Sequence, residues 1–215
     1  MNGEGSRIAA PGARTPPLFL AFIAVWIVAA GFTGVFGAWV AIGGVAVGLG
    51  MVALLLDRRA SGLLLQPSPR LILLGAIMGG SMAAATYVLY PLLVSIFPGS
   101  ATDTALLYAA FRAPPAVIAS IALAPVTLGE ELVWRGVVQT SLVERLGPWR
   151  GVTLAAVAYA VACAPLGSPV LVAVALLFGL VWGALRIATA SLLPTVVAHL
   201  VWDVLVLLWL PLESM

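Results

Sequence analysis

The chain has 215 residues, of which 63% are hydrophobic and 8% charged, with a formal net charge of +2. An ordinary soluble domain carries roughly a quarter charged residues, so this composition excludes a water-soluble globular fold. All ten basic residues are Arg, scattered among short polar segments, which provides no basic patch for nucleic acid and fits a GC-rich bacterial genome. The single Cys163 excludes an intrachain disulfide.

Residues 1–16 read as a short polar cytoplasmic tail carrying Arg7 and Arg14, ahead of a signal anchor, a first membrane helix that is retained. Residues 17–215 read as a single transmembrane domain, because apolar runs of about 18 residues, enough to cross a hydrocarbon core of roughly 30 Å, recur throughout. The predicted fold class is all-α, a polytopic transmembrane helix bundle of about seven spans. The first two spans share residues 17–56, with Gly31, Gly34 and Gly37 supplying the turn. The third covers about 71–97, the fourth 116–143, the fifth 151–165, the sixth 169–185 and the seventh 192–210. A short or re-entrant eighth segment is open around 104–111. Loop arginines test this map, since they concentrate on the cytoplasmic side of a membrane. Arg7, Arg14, Arg58, Arg59, Arg70, Arg145, Arg150 and Arg186 fall on one side; Arg112, Asp103 and Glu213 fall on the other. The N-terminus is therefore expected in the cytoplasm, and the protein in a bacterial cytoplasmic membrane. Gly44-x-x-x-Gly48 has the spacing that lets a neighbouring helix approach closely. The seven tryptophans read as interface anchors or core filler.

Five ionisable residues stand inside the apolar spans: Glu130, Glu131, Arg135, His199 and Asp203. An Arg or Asp at mid-membrane costs roughly 2.5–3.5 kcal/mol on insertion scales, so such groups face the bundle interior and usually serve a function. Glu131 and Arg135 share a helix face at four-residue spacing and are expected to pair, which neutralises both for insertion. Glu130 points about 100° away on the same helix and has no such local partner, which makes it the candidate general base or acid. His199 and Asp203 also lie four residues apart, where the carboxylate can orient the imidazole. Buried Glu, His and Arg also build proton relays, so a proton-coupled transporter is a second class of reading. The ionisable residues inside the spans sit only in the C-terminal half and no repeat relates the halves, which disfavours it.

The order Glu130-Glu131-x-x-x-Arg135, then an apolar helix, then Leu192-Leu193-Pro194-Thr195 leading to His199-x-x-x-Asp203 resembles the CPBP intramembrane proteases. That family includes the type II CaaX prenyl proteases and bacterial, bacteriocin-processing-like relatives. The segment Phe178-Gly179-Leu180-Val181-Trp182-Gly183 resembles the family's penultimate helix, and the motif region spans about 116–210. The resemblance implies an intramembrane endopeptidase in which Glu130 activates water, while His199 and Asp203 position the substrate or stabilise the oxyanion. Arg135 would hold Glu131. The partners it implies are a membrane-anchored protein or peptide substrate and the lipid bilayer. The family carries an aromatic-x-x-x-His element on the intervening helix; here Tyr159-x-x-x-Cys163 places a thiol at the His position, and Asp203 stands where many members have Asn. Three alternatives follow. Hydrolysis proceeds without a cofactor and with Cys163 in place; or Glu130, Cys163 and His199 ligate zinc; or the chain is an inactive membrane scaffold or immunity-type protein.

Overall fold

The computed structural model describes residues 16–56, 64–111 and 115–212. Arg7, Arg14, Arg58, Arg59, Arg112 and Glu213, with nearly all of the tail 1–16, lie outside the described residues. Within them the chain is helical, with no strand. In chain order the α-helices are α1 (Pro16–Gly31), α2 (Thr33–Phe36), α3 (Gly44–Leu56), α4 (Pro69–Ile96), α5 (Gly99–Phe111), α6 (Ala116–Glu131), α7 (Thr140–Leu146), α8 (Pro148–Cys163), α9 (Pro169–Thr189) and α10 (Leu193–Asp203). Wider π-helical turns precede α3 (Trp39–Gly43), join α6 to α7 (Leu132–Gln139) and extend α10 (Val204–Trp209).

Among the described residues five helices are long and apolar enough to cross a membrane: Trp39–Leu56, Pro69–Ile96, Ala116–Leu146, Pro148–Leu166 and Pro169–Thr189. The shorter apolar helices Leu18–Gly31 and Leu193–Trp209 occupy the places expected for the first and last spans. The bundle is that of a polytopic membrane protein, with large apolar side chains such as Leu73, Ile77, Val88 and Ile121 exposed on its outside. Helix α5 occupies the connection where an eighth segment was open; it is 13 residues long and too short to span.

Sequence chemistry sets the helix starts. Ser68 and Ser168 cap α4 and α9, each accepting from a backbone N–H three residues on (Leu71 at 3.4 Å, Leu171 at 3.0 Å), and each is followed by Pro at the first helical position. Asp103 of α5 adds a second acceptor at the start of α9, taking the Val170 N–H at 2.8 Å and the Ser168 hydroxyl at 3.0 Å. The π turn after Asp203 leaves carbonyls that the i+4 ladder would have used. Tyr87 donates to the Leu205 and Leu210 carbonyls at 3.1 and 3.0 Å, and Tyr108 donates to that of Val206. Irregular backbone at membrane depth survives only where such partners meet its polar groups.

Close helix contacts fall on different glycines from the expected pair. A Cβ at Gly44 or Gly48 would meet nothing within 4 Å. The helix turns its Ala46 and Gly50 side inward instead, against Gly129 of α6. Two residues along a helix is about 200° around it, so the small-residue pair is real but its other face does the packing. A Gly-x-x-x-Gly pair that does pack is Gly75 and Gly79 on α4, pressed against Pro194, Val197, Ala198 and Val201 of α10.

A Cβ at Gly79 would lie 2.5 Å from the Ala198 carbonyl oxygen and 2.9 Å from Val201 Cβ. Gly79→Ala is therefore expected to destabilise the protein by about 1–3 kcal/mol through overpacking, despite the better helix propensity of Ala. Gly48→Ala is expected to be neutral or mildly stabilising. Thermal unfolding of the two variants in detergent separates them; equal midpoints would refute this packing.

Candidate active site

The site begins where α6 changes geometry. Pro125 removes one N–H from the helix ladder, and the π turn starts at Leu132, immediately after the two glutamates. Between them Gly129 is held against α3, which fixes the backbone just before Glu130. A π turn rotates the side chains after it relative to a regular α-helix and is frequent at functional sites. Both Glu130 and Glu131 are buried, and Glu131 is 0% exposed.

Glu131 is the centre of a charge cluster. Its Oε1 accepts from Arg135 Nη1 at 3.1 Å, as the four-residue spacing predicts, and lies 2.9 Å from His199 Nδ1. The Arg135 guanidinium sits against two aromatic faces, 5.0 Å from the Tyr159 ring centroid and 5.1 Å from that of Trp182. Asp203 does share the His199 face, but its Oδ2 is 3.5 Å from Nε2. The shorter contact to the imidazole is thus from Glu131, on another helix. Glu131 therefore holds Arg135 and His199 together and joins α6 to α10, beyond the single pairing expected of it.

A cavity of about 490 Å³ opens inside the bundle, with Glu130, Tyr159, Cys163, His199 and Asp203 on its wall. The rest of the wall is mostly apolar. Glu131 and Arg135 do not line it and support the wall from behind. Glu130 has no partner on its own helix, as expected, but Tyr159 of α8 donates its hydroxyl to Glu130 Oε2 at 2.9 Å. Tyr159 is in turn packed by Trp134, with ring centroids 5.0 Å apart, and Trp134 by Trp26 at 5.4 Å. Cys163, four residues after Tyr159, faces the same cavity, so Tyr159-x-x-x-Cys163 presents both side chains to the site. Among the described residues no group of three or more His, Cys, Asp or Glu side chains is placed to hold a metal ion. Glu130 is turned to Tyr159 and His199 to Glu131.

Sequence reasoning missed Trp182. Its ring stacks on His199 with centroids 3.9 Å apart and planes 27° apart. The available signal was its place beside Gly183, in Gly179-x-x-x-Gly183. Those glycines bring α9 against Ala156 and Val152 of α8, and Gln139 Nε2 donates to the Gly183 carbonyl at 3.0 Å. The backbone approach that they permit sets the Trp182 ring at the centre. Of the seven tryptophans, Trp26, Trp134, Trp182 and Trp202 are buried core, while Trp149 and Trp209 are exposed.

Removing Glu131 would leave Arg135 and His199 buried without their shared acceptor. Glu131→Ala is expected to cost about 3–5 kcal/mol, the range for breaking a buried ion pair from one side. Glu130→Gln keeps its shape and an acceptor for Tyr159, and should unfold within about 1 kcal/mol of the parent. Chemical unfolding in detergent checks the order; a larger loss in Glu130→Gln would show that Glu131 is not the organising charge.

Residues 110–205 match the family described as type II CAAX prenyl endopeptidase Rce1-like. That range contains both glutamates, Arg135, Tyr159, Cys163, Trp182, His199 and Asp203. No curated protein and no solved structure matches the chain. Over residues 110–205, a little under half of its length, the chain is similar to the CPBP/CAAX protease family.

Proposed function

We propose that the protein is an intramembrane endopeptidase that cuts a membrane-anchored protein or peptide near its membrane-associated, C-terminal end. The observation that carries this reading is the carboxylate of Glu130, held by Tyr159 on the wall of a cavity of about 490 Å³ that it shares with His199 and Asp203. In the proposed reaction Glu130 takes a proton from a cavity water, whose oxygen bonds to the peptide carbonyl carbon as the carbonyl electron pair moves to oxygen. The tetrahedral intermediate collapses, the C–N bond breaks, and the leaving amine takes the proton back from Glu130. One water is consumed, and an acid and an amine result. A general base contributes typically 10²–10⁴-fold to such a step.

Cys163 supplies no proton transfer in this reading; a buried thiol is a weak hydrogen-bonding group and here forms part of the wall. The apolar remainder of the cavity suits a substrate segment that enters from the bilayer of a bacterial cytoplasmic membrane.

The test compares wild type, Glu130→Gln, His199→Ala and Cys163→Ser in the native membrane, with proteomics of C-terminal fragments. Glu130→Gln is expected to abolish fragments that wild type produces, by at least about 10²-fold. His199→Ala should reduce them strongly and Cys163→Ser should leave them unchanged. Identical fragment profiles for wild type and Glu130→Gln would overturn the endopeptidase reading.

A further inference from the structure

The contacts between helices fix their directions. Gly75 meets Pro194 and Gly79 meets Ala198, so α4 and α10 run parallel. Glu131 meets His199 and Gly136 meets Leu192, so the α6–α7 helix runs against α10. Glu130 meets Tyr159 and Val143 meets Gly151, so it runs against α8 as well. Gly179 meets Ala156 and Gly183 meets Val152, so α9 also runs against α8. In this frame the cavity is one-ended. Among the described residues, its wall takes nothing from α4 before Met82, from α8 before Tyr159 or from α10 before His199. It takes nothing from the α6–α7 helix after Glu130 or from α9 after Trp182. In the other direction the wall runs on through Leu93, Phe111, Leu166, Val170 and Leu212.

The two ends differ in chemistry. At the sealed end Gln139 donates to the Gly183 carbonyl at 3.0 Å, and Leu192 and Thr195 are 0% exposed. Arg70, Arg145, Arg150 and Arg186 stand at this end, at the start of α4, the end of α7, the start of α8 and the last turn of α9. By sequence Arg7, Arg14, Arg58 and Arg59 fall on the same side, and Arg112 alone on the other. Arginine concentrates on the cytoplasmic side of a membrane, so the cavity opens away from the cytoplasm. A second cavity of about 420 Å³ lies at the open end, where Thr33, Asp103 and Ser168 line it. Its wall shares Ala38, Leu107, Phe111 and Leu166 with the main cavity, which places a polar vestibule next to the apolar one. Leu89 on α4 and Leu177 on α9 line the main cavity and are 57% or less exposed, 55% each, so its apolar wall continues onto the outside of the bundle.

We propose that the site is served from the extracytoplasmic side, and that its substrates are exported proteins or peptides whose apolar anchor lies in the extracytoplasmic half of the bilayer. This rests on the endopeptidase reading given above. His199 lies roughly 15 Å from Trp209 along the last helix, at about 1.5 Å per residue. A substrate reaches that depth with on the order of four or five extended residues, and the wall that they meet is apolar. Water enters from the same side, past Asp103 and Ser168.

Two measurements on the full-length protein test this. Val174→Cys on the cavity wall and Arg150→Cys at the sealed end are each made in the Cys163→Ser background. Intact bacterial cells and inverted membrane vesicles are treated with a small, membrane-impermeant cationic methanethiosulfonate. Val174→Cys should react in intact cells and Arg150→Cys only in inverted vesicles. Reaction of Val174→Cys from the cytoplasmic face alone, or from neither face, overturns the proposal, as does reaction of Arg150→Cys in intact cells. The second measurement adds a quenched peptide with a charged N-terminus and a C-terminal run of leucines to protein in detergent, to right-side-out vesicles and to inverted ones. Cleavage is expected in detergent and in right-side-out vesicles, with its loss in inverted ones. Cleavage in detergent and in inverted vesicles alone overturns the proposal and leaves the endopeptidase reading standing. Absence of cleavage in detergent, with the thiol pattern as expected, sinks the endopeptidase reading and the substrate class with it, while the extracytoplasmic opening stands.

Discussion

One carboxylate oxygen organises the interior of this protein. Glu131 Oε1 meets Arg135 at 3.1 Å and His199 at 2.9 Å, with no solvent exposure on the glutamate. Arg135 brings the positive charge that makes burial of Glu131 tolerable, and the aromatic faces of Tyr159 and Trp182 flank its guanidinium. Four helical segments therefore converge on a single ion pair: α6 with its π turn, α8, α9 and α10. Each contributes to the cavity wall a residue whose placement depends on that convergence. In a low-dielectric interior such a network is costly when incomplete, which makes its geometry highly specified.

Backbone proximity allows those short side chains to meet. Gly129 lies against α3, Gly75 and Gly79 against α10, and Gly179 and Gly183 against α8 and Gln139. Helices in a bilayer gain little from the hydrophobic effect between them, so small residues and hydrogen bonds carry their association. The two π turns that follow Glu131 and Asp203 belong to the same design. Each begins directly after a motif residue, and the second leaves carbonyls that Tyr87 and Tyr108 take up.

The cavity divides the charged residues into two layers. Glu130, His199 and Asp203 line the cavity, whereas Glu131 and Arg135 stand behind its wall. This separates the group proposed to move a proton from the charges that hold the frame. The two glutamates are adjacent in sequence, and the helical turn of about 100° between them assigns one to each layer. Tyr159 then decides the orientation of Glu130, from a helix that the glutamate's own sequence neighbourhood does not include.

Much of this was legible from the residues alone. Composition and the recurrence of apolar runs determined an all-helical membrane protein, because a bilayer core admits little else. The four-residue spacings of Glu131 with Arg135, and of His199 with Asp203, determined which side chains share a face, since that follows from helix geometry. The order of the motifs carried the resemblance to the CAAX proteases that the match over residues 110–205 repeats. Contacts between helices were decided only by the tertiary structure, because they depend on which face of each helix turns inward and at what depth. Gly44 and Gly48 had the right spacing and face outward, while Gly75 and Gly79 with the same spacing face α10. The bond from Tyr159 to Glu130 joins residues 29 apart, and that between Glu131 and His199 residues 68 apart. The buried charges announced a site in the sequence; packing decided which carboxylate holds the histidine and which one faces the cavity.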